Sequence, residues 1–572
     1  MATWIIWLRQ AAQGRILPLL LGVSLLLVTV AAVLVLLWDN QGAARPPVAT
    51  LRPDEEEIAW LYPATNTTAW ERLVQAVAQT CEQLHSQYPG LSWEQRNMPS
   101  GSSLPSLSLV WPEGRRLVIR WYKLTSQWSP ATWIAALLQR DRPPLAVVGG
   151  STSYWARELG SQLQHHTQFV AANRRPLLLL TTATADRVPK GRLESNRHLE
   201  SIGNTPLDQP ALTNLYPGRT FRFCFSNRQM ASVITRFLWT QPSLRPDHDP
   251  AFLVQYTDDA YSRDLYQAFF LVLADRAADN ALQQFGWVSG AFGLGLPPAA
   301  LVGWCTSGFR KDITSQLFVD SSVGTFAAPN PYEARVVRSL LAVLQPQDPT
   351  RVPNPLPKRP LLIVTGQTQP SRRLLRELAR SAPEAARQFV VATGDALPFN
   401  TIFRDRQVAW PIQDLPFTLV FFAHRNPVDA QAGFRYQSQA VSDPRSSTSG
   451  TEDVLLFRDL IAATALALAR ADSPVDADGL ARGLRAVTYE EDRLSLSNSR
   501  GIALLDDQGN RNSGTGEHVV VLRPIFRDKR ILPRAYLEVY AHQRGRAFRH
   551  VCPPLVVSWD EFEESDVDRN PR

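Results

Sequence analysis

Lysine is scarce in this chain. Five of its 60 basic residues are lysine, and the arginines are scattered beside acids rather than gathered into a stripe. Binding a phosphate backbone requires a dense basic face with interleaved aromatics, so the net charge of +7 does not point to nucleic acid. Cysteine is scarce too. Cys81, Cys224, Cys305 and Cys552 are widely spaced with no CxxC, which argues against zinc. In an exported chain they either form up to two disulfides or stay as buried thiols, and the spacing does not decide between these. Signatures of catalysis are missing: there is no HExxH, no GxSxG and no P-loop. The nine histidines are scattered, and Gly286, Gly290, Gly293 and Gly295 miss the dinucleotide fingerprint. The expectation is a chain with no metal, no cofactor and no enzymatic activity.

Long hydrophobic runs are limited to one. Residues 16–38, "ILPLLLGVSLLLVTVAAVLVLLW", carry no charge and as a helix would span about 35 Å, enough for a bilayer's hydrocarbon. Arg9 and Arg15 precede the run and Asp39 comes directly after it. By the positive-inside rule the N-terminus, 1–15, stays cytoplasmic. The run is longer than a signal-peptide core and lacks an obvious small-x-small cleavage site. It therefore reads as an uncleaved single-pass anchor in the cell membrane, with the large domain on the extracytoplasmic, periplasmic side.

The chain as a whole has globular composition, 44% hydrophobic and 20% charged, and the part beyond the anchor is too long for one ordinary domain. Residues 39–57 read as a proline-bearing stalk. Apolar runs then alternate with helical repeats. "IAWLY" (58–62) precedes a capping-box pattern at Thr68–Glu71 and a helix facing inward through Trp70, Val74, Val77, Cys81 and Leu84. "RRLVIRWY", "PLAVVGG", "PLLLLTT", "TFRFCFS", "PLLIVTGQT", "QFVVATGD" and "FTLVFFA" continue the strands. Continuous apolar strands separated by helices indicate parallel sheets covered on both faces.

The order of these motifs resembles the type I periplasmic binding proteins, the family of branched-chain amino acid receptors. "IAWLYPAT" looks like the opening strand and helix, "LAVVGGSTSYWARELG" like the glycine turn with its serine-bearing helix start, and "PLLLLTTATAD" like the next pocket loop. "YPGRTFRFCFSNRQMASVI" resembles the passage into the second lobe. "AFLVQYTDDAYSRDLYQAF" matches the strand, acidic turn, tyrosine and helix beyond it, and "RGIALLDDQGNRNSGTGEHVVVLRP" the final hairpin. Ser262 stands where the family has glycine, Gly150 where it has proline, and Trp155 brings a large ring toward the pocket.

The resemblance implies an α/β fold of two doubly wound parallel-sheet lobes joined by crossing hinge strands, preceded here by the one transmembrane helix. Its span is 58–525. Lobe 1 takes about 58–225 and 445–485, lobe 2 about 226–444 and 486–525, and 526–572 is a C-terminal extension. The implied function is that of a solute-binding receptor closing on a small polar ligand such as an amino acid, in company with a membrane transporter. A ligand-free interaction module of the cell envelope, with an envelope protein as partner, is the alternative. Strand ends and helix N-termini would face the ligand. The candidate contacts are Ser151, Ser153, Thr182 and Thr184 on the first lobe. On the second they are Tyr261, as a stacking ring, with Gln367 and with Asp395, which can pair an amino group. Helix capping and core packing are the competing roles of these residues.

Overall fold

The computed structural model describes residues 46–96, 104–168, 170–188, 210–245, 251–256, 259–284, 318–319, 331–344, 359–397, 410, 412–427, 452–471, 475–490, 493–496, 501–528, 530–542, 548–551, 554–558 and Thr29. The chain divides into two compact units, Met1–Thr50 and Leu51–Arg572. The expected anchor, 16–38, lies outside the described residues apart from Thr29. Among the described residues no helix is long and apolar enough to cross a membrane.

In the second unit the apolar runs become two sheets. The first contains β1 (Glu55–Pro63), β2 (Ser92–Arg96), β3 (Ser106–Val110), β4 (Arg116–Leu124), β5 (Ala146–Gly149), β6 (Leu177–Leu180) and β7 (Thr220–Arg222), in the order β2-β3-β4-β1-β5-β6-β7. β4, β1, β5, β6 and β7 run parallel, while β2 and β3 add an antiparallel edge. Between them lie α1 (Thr67–Leu84), α2 (Pro130–Leu138) and α3 (Ser153–Thr167).

The second sheet comes after the crossing helix α4 (Asn227–Thr240). It is built from β8 (Ala251–Tyr256), β9 (Phe318–Val319), β10 (Leu361–Val364), β11 (Val390–Thr393) and β12 (Thr418–Ala423). These strands pair in parallel. Around them are α5 (Ala260–Gln284), α6 (Pro331–Leu344), α7 (Thr368–Ser381) and the short α8 (Pro383–Ala386). The chain then returns to the first sheet as α9 (Glu452–Arg470) and α10 (Ala477–Arg485). Next is a small antiparallel sheet made of β13 (Val487–Glu490), β14 (Arg493–Leu496) and β15 (Ile502–Ala503). Finally β16 (His518–Arg527), β17 (Arg530–Ala541), β18 (Arg549–His550) and β19 (Leu555–Ser558) extend the second sheet beyond β12, all antiparallel.

Each sheet has its own core. Trp60, Trp70 and Trp121 meet with ring centroids 5.2–5.5 Å apart, under α1 and α9. Val454, Phe457, Leu460, Ile461 and Leu468 of α9 enter this core, the face their spacing predicts. The two faces of the second sheet form separate clusters, because its strands alternate Phe252/Val254 on one side and Leu253 on the other.

Several expectations change. Asn66, not Thr68, caps α1, accepting from the Ala69 amide at 3.2 Å. Residues 501–524 do not form one hairpin: β15 joins the small sheet and β16 the second large one. Val487, Tyr489, Leu494, Leu504 and Leu505, read as second-lobe positions, pack in the first core. Residues 530–558, read as an extension, supply strands of the second sheet.

Candidate functional site

The carboxyl ends of the two sheets meet where the chain crosses between them. The first crossing leaves β7, the second leaves β12, and the third runs from β15 to β16. Asp459 on α9 binds the latter two together. Its carboxylate takes Arg425 at 2.5 and 3.0 Å and Arg511 at 2.9 Å. Arg511 also donates to the Phe223 carbonyl of the first crossing at 2.8 Å, and Arg425 to the Tyr489 hydroxyl at 2.6 Å. Burial pushes the Asp459 carboxyl up, but Arg425 and Arg511 overcome it and hold it below the ordinary aspartate range. Arg222, also buried, bonds Asp186 and Asn510, both at 2.6 Å, so the first and third crossings run side by side.

On the first sheet the glycine turn is shaped for packing. Gly150 has φ +77°, and a Cβ there would stand 2.7 Å from that of Ala156, so only glycine lets α3 approach. Thr152 caps α3 by accepting from the Trp155 amide at 3.3 Å. Ser151 is half-buried beside it, and Trp155 is 37% exposed. Ser153 is buried and accepts from the Ala185 amide at 3.3 Å. Thr182 donates to the Gly150 carbonyl at 3.3 Å, and the Thr184 carbonyl accepts from the Asn227 amide at 2.9 Å. These hydroxyl residues hold the loops of β5 and β6 to each other and to the first crossing.

On the second sheet Asp258 lies outside the described residues. Asp259 accepts from the Tyr261 amide at 3.1 Å, just before α5 begins at Ala260. Ser262 instead accepts from the Tyr256 amide and meets the Thr365 hydroxyl, each at 2.8 Å, tying β8 to the end of β10. Tyr261 is 8% exposed and packs in the core of that face. Its hydroxyl donates to Asp395 at 2.8 Å and accepts from the Ala396 amide at 3.3 Å. A Cβ at Gly394 would come within 2.6 Å of that hydroxyl, so the glycine makes room for the ring. Burial, then the Asp395 charge, raises the Tyr261 phenol well above its ordinary value. Gln367 is exposed at the start of α7 and makes no capping bond there.

The structure thus brings Tyr261 and Asp395 together and adds His424, which composition alone passes over. The other Asp395 oxygen takes His424 Nε2 at 2.9 Å, and Nδ1 accepts from the Phe225 amide at 3.2 Å. An acceptor at Nδ1 places the proton on Nε2, where it is donated to Asp395. The signal lay in "FFAHR", a polar pair closing an apolar strand. Among the described residues no group of His, Cys, Asp and Glu is arranged to hold a metal ion, and Cys81 and Cys224 are both buried free thiols.

Across the junction, Asp264 of α5 accepts from the amides of Asp186 and Arg187 at 2.9 and 3.1 Å and from Asn227 at 2.9 Å. Burial, then the Asp186 charge, pushes its carboxyl up to about 7. Between about pH 4 and about 7 the folded chain therefore keeps a proton that the unfolded chain has released, so stability from this group falls as pH rises. Denaturant melts from pH 4 to 8 should show this slope in the wild type and its loss in Asp264→Asn. Asp264 is half-buried rather than sealed, so the slope is expected to be shallower than the full shift implies. A polar cavity of about 210 Å³ lies elsewhere, at the amino ends of the first sheet, beside Glu56, Arg142, Arg174 and Asp476.

No protein-family model matches the sequence, and neither does any curated protein. Solved structures are similar to it at low identity. An ABC transporter substrate-binding protein from Desulfitobacterium hafniense has 15% identity and a TM-score of 0.44, over 87% of this chain and 100% of that one. The branched-chain amino acid transporter substrate-binding protein LivJ of Streptococcus pneumoniae, solved with isoleucine, has 9% identity and a TM-score of 0.44, over 87% and 100%. A solute-binding protein of R. palustris, solved with 4-hydroxybenzoate, has 8% identity and a TM-score of 0.47, over 83% and 95%. The chain is similar to type I periplasmic binding proteins, the family its motif order resembles.

Proposed function

We propose that this chain is a solute-binding receptor without enzymatic activity, which opens and closes two lobes around a small polar, amino acid-like ligand. The observation that carries this reading is the meeting of strand ends across the crossings: Asp264 of one half bonds the β6 loop of the other, and Phe225 bonds His424. Contacts of this kind are remade in hinge motion, and a ligand favouring one arrangement shifts the population toward it. Ser151, Gln367 and the start of α3 offer polar groups just beyond the strand ends of β5 and β10. Residues 16–38 would hold the receptor at the membrane, with the lobes outside the cytoplasm near a transporter.

One observation favours a second reading, a ligand-free interaction module. Ser153, Tyr261 and Asp395 are already hydrogen-bonded within the chain. Thermal melts with amino acids and small aromatic carboxylates separate the two. A true ligand present at 100 times its Kd should stabilise by about 2.7 kcal/mol. A panel that moves no melting temperature, with an envelope protein retained on the immobilised chain, would replace the receptor reading with the second.

A further inference from the structure

The hairpin of β16 and β17 projects past its neighbours. β12 pairs β16 only as far as Leu522, and β19 pairs β17 only from Arg534 to Leu537. At the tip Arg527 stands directly opposite Arg530, on either side of a turn in which Asp528 takes φ 50°. Like charges directly opposite on a sheet destabilise it. Arg527, Arg530 and Arg534 are exposed and have no ion-pair partner among the described residues. Phe526, 37% exposed, lies under Arg387 with the guanidinium 4.8 Å from its ring centroid, and Tyr536 is 44% exposed. Among the described residues Asp528 of the turn is the one carboxylate within the tip, against Arg527, Arg530 and Arg534, so the surface stays basic with apolar area beside it.

The sequence supplies further anions directly beyond β19. β19 ends with Ser558 opposite Arg534 and runs toward the tip. Residues 559–572, "WDEFEESDVDRNPR", come immediately after it, with six carboxylates against two arginines. We propose that the acidic segment 560–564 docks along the edge of β17 that no described strand pairs, and neutralises the arginines of the hairpin tip. Continuing the β19 register puts Asp560 opposite Leu532, diagonally between Arg530 and Arg534 and within reach of both. Pro533 has no N–H to donate, so ion pairs rather than a full strand ladder hold the segment. Its occupancy is favoured because the linkage is immediate and gives a high effective concentration. The segment is a built-in competitor for any anionic partner of this surface.

Hydrogen exchange on the full chain tests this. The amides of Ile531, Leu532 and Arg534 should exchange about five- to tenfold more slowly in the wild type than in a variant carrying Asp560→Asn, Glu561→Gln, Glu563→Gln and Glu564→Gln. High salt should remove the difference, and a synthetic 559–572 peptide added to the variant should restore it. Arg530→Glu with Arg534→Glu should match the neutralised variant. If that pair does not fold, the neutralised variant decides alone, since it changes only residues beyond Ser558. Equal exchange in wild type and neutralised variant would overturn the proposal. So would equal protection of both by phosphatidylserine vesicles, which would assign the tip to an anionic membrane instead.

Discussion

Asp459→Ala is expected to destabilise the chain by about 3–5 kcal/mol, the usual cost of stripping one partner from a buried ion group. Among the described residues Asp459 is the carboxylate that Arg425 and Arg511 share, both buried. Its loss would take from two guanidinium charges in low dielectric the carboxylate they share, while the Phe223 and Thr515 carbonyls and the Tyr489 and Thr515 hydroxyls keep their bonds to them. The arginines come from two different crossings and the aspartate from α9, so the damage falls on the junction rather than on either core. Denaturant unfolding monitored by tryptophan fluorescence measures the loss, since Trp60, Trp70 and Trp121 report the first core. Asp459→Asn keeps the shape without the charge and should fall nearly as far, which separates electrostatics from packing. A loss under about 1 kcal/mol in both variants would mean that water, not Asp459, balances the arginines.

Much of this architecture is legible in the sequence because parallel strands buried on both faces leave uninterrupted apolar runs. "PLAVVGG", "PLLLLTT", "PLLIVTGQT" and "FTLVFFA" each became a strand of the expected kind. The antiparallel part was harder. β17 alternates only over part of its length: Ala535, Leu537 and Val539 are buried while Arg534 and Tyr536 are exposed. The basic and proline residues around that stretch read as a C-terminal extension. The junction was the least legible of all. Asp459, Arg425 and Arg511 stand 34 or more residues apart, each in an unremarkable local context, and only the return of the chain through three crossings assembles them. His424 was hidden for the same reason, since a lone histidine has meaning only once Asp395 and Phe225 lie beside it.

Tyr261 is where sequence and structure put different weights on one residue. The family resemblance makes its ring a ligand contact, whereas the structure packs it beside Leu265 and Phe269 and engages its hydroxyl with Asp395. Tyr261→Ala is therefore expected to cost about 3–5 kcal/mol, the range for removing a packed aromatic side chain. Tyr261→Phe keeps the ring but leaves Asp395 without that donor, and should cost about 1–3 kcal/mol. The two variants separate packing from the hydrogen bond, and a ligand found by thermal melts separates both from binding. A ring that serves the core leaves affinity unchanged in the folded fraction of Tyr261→Phe. A hydroxyl or Asp395 oxygen that serves the ligand changes affinity in Tyr261→Phe by about five- to 150-fold at small cost in stability. The expected result is the first, with stability falling in the order wild type, Tyr261→Phe, Tyr261→Ala. A Tyr261→Ala chain as stable as the wild type would return the ring to the ligand.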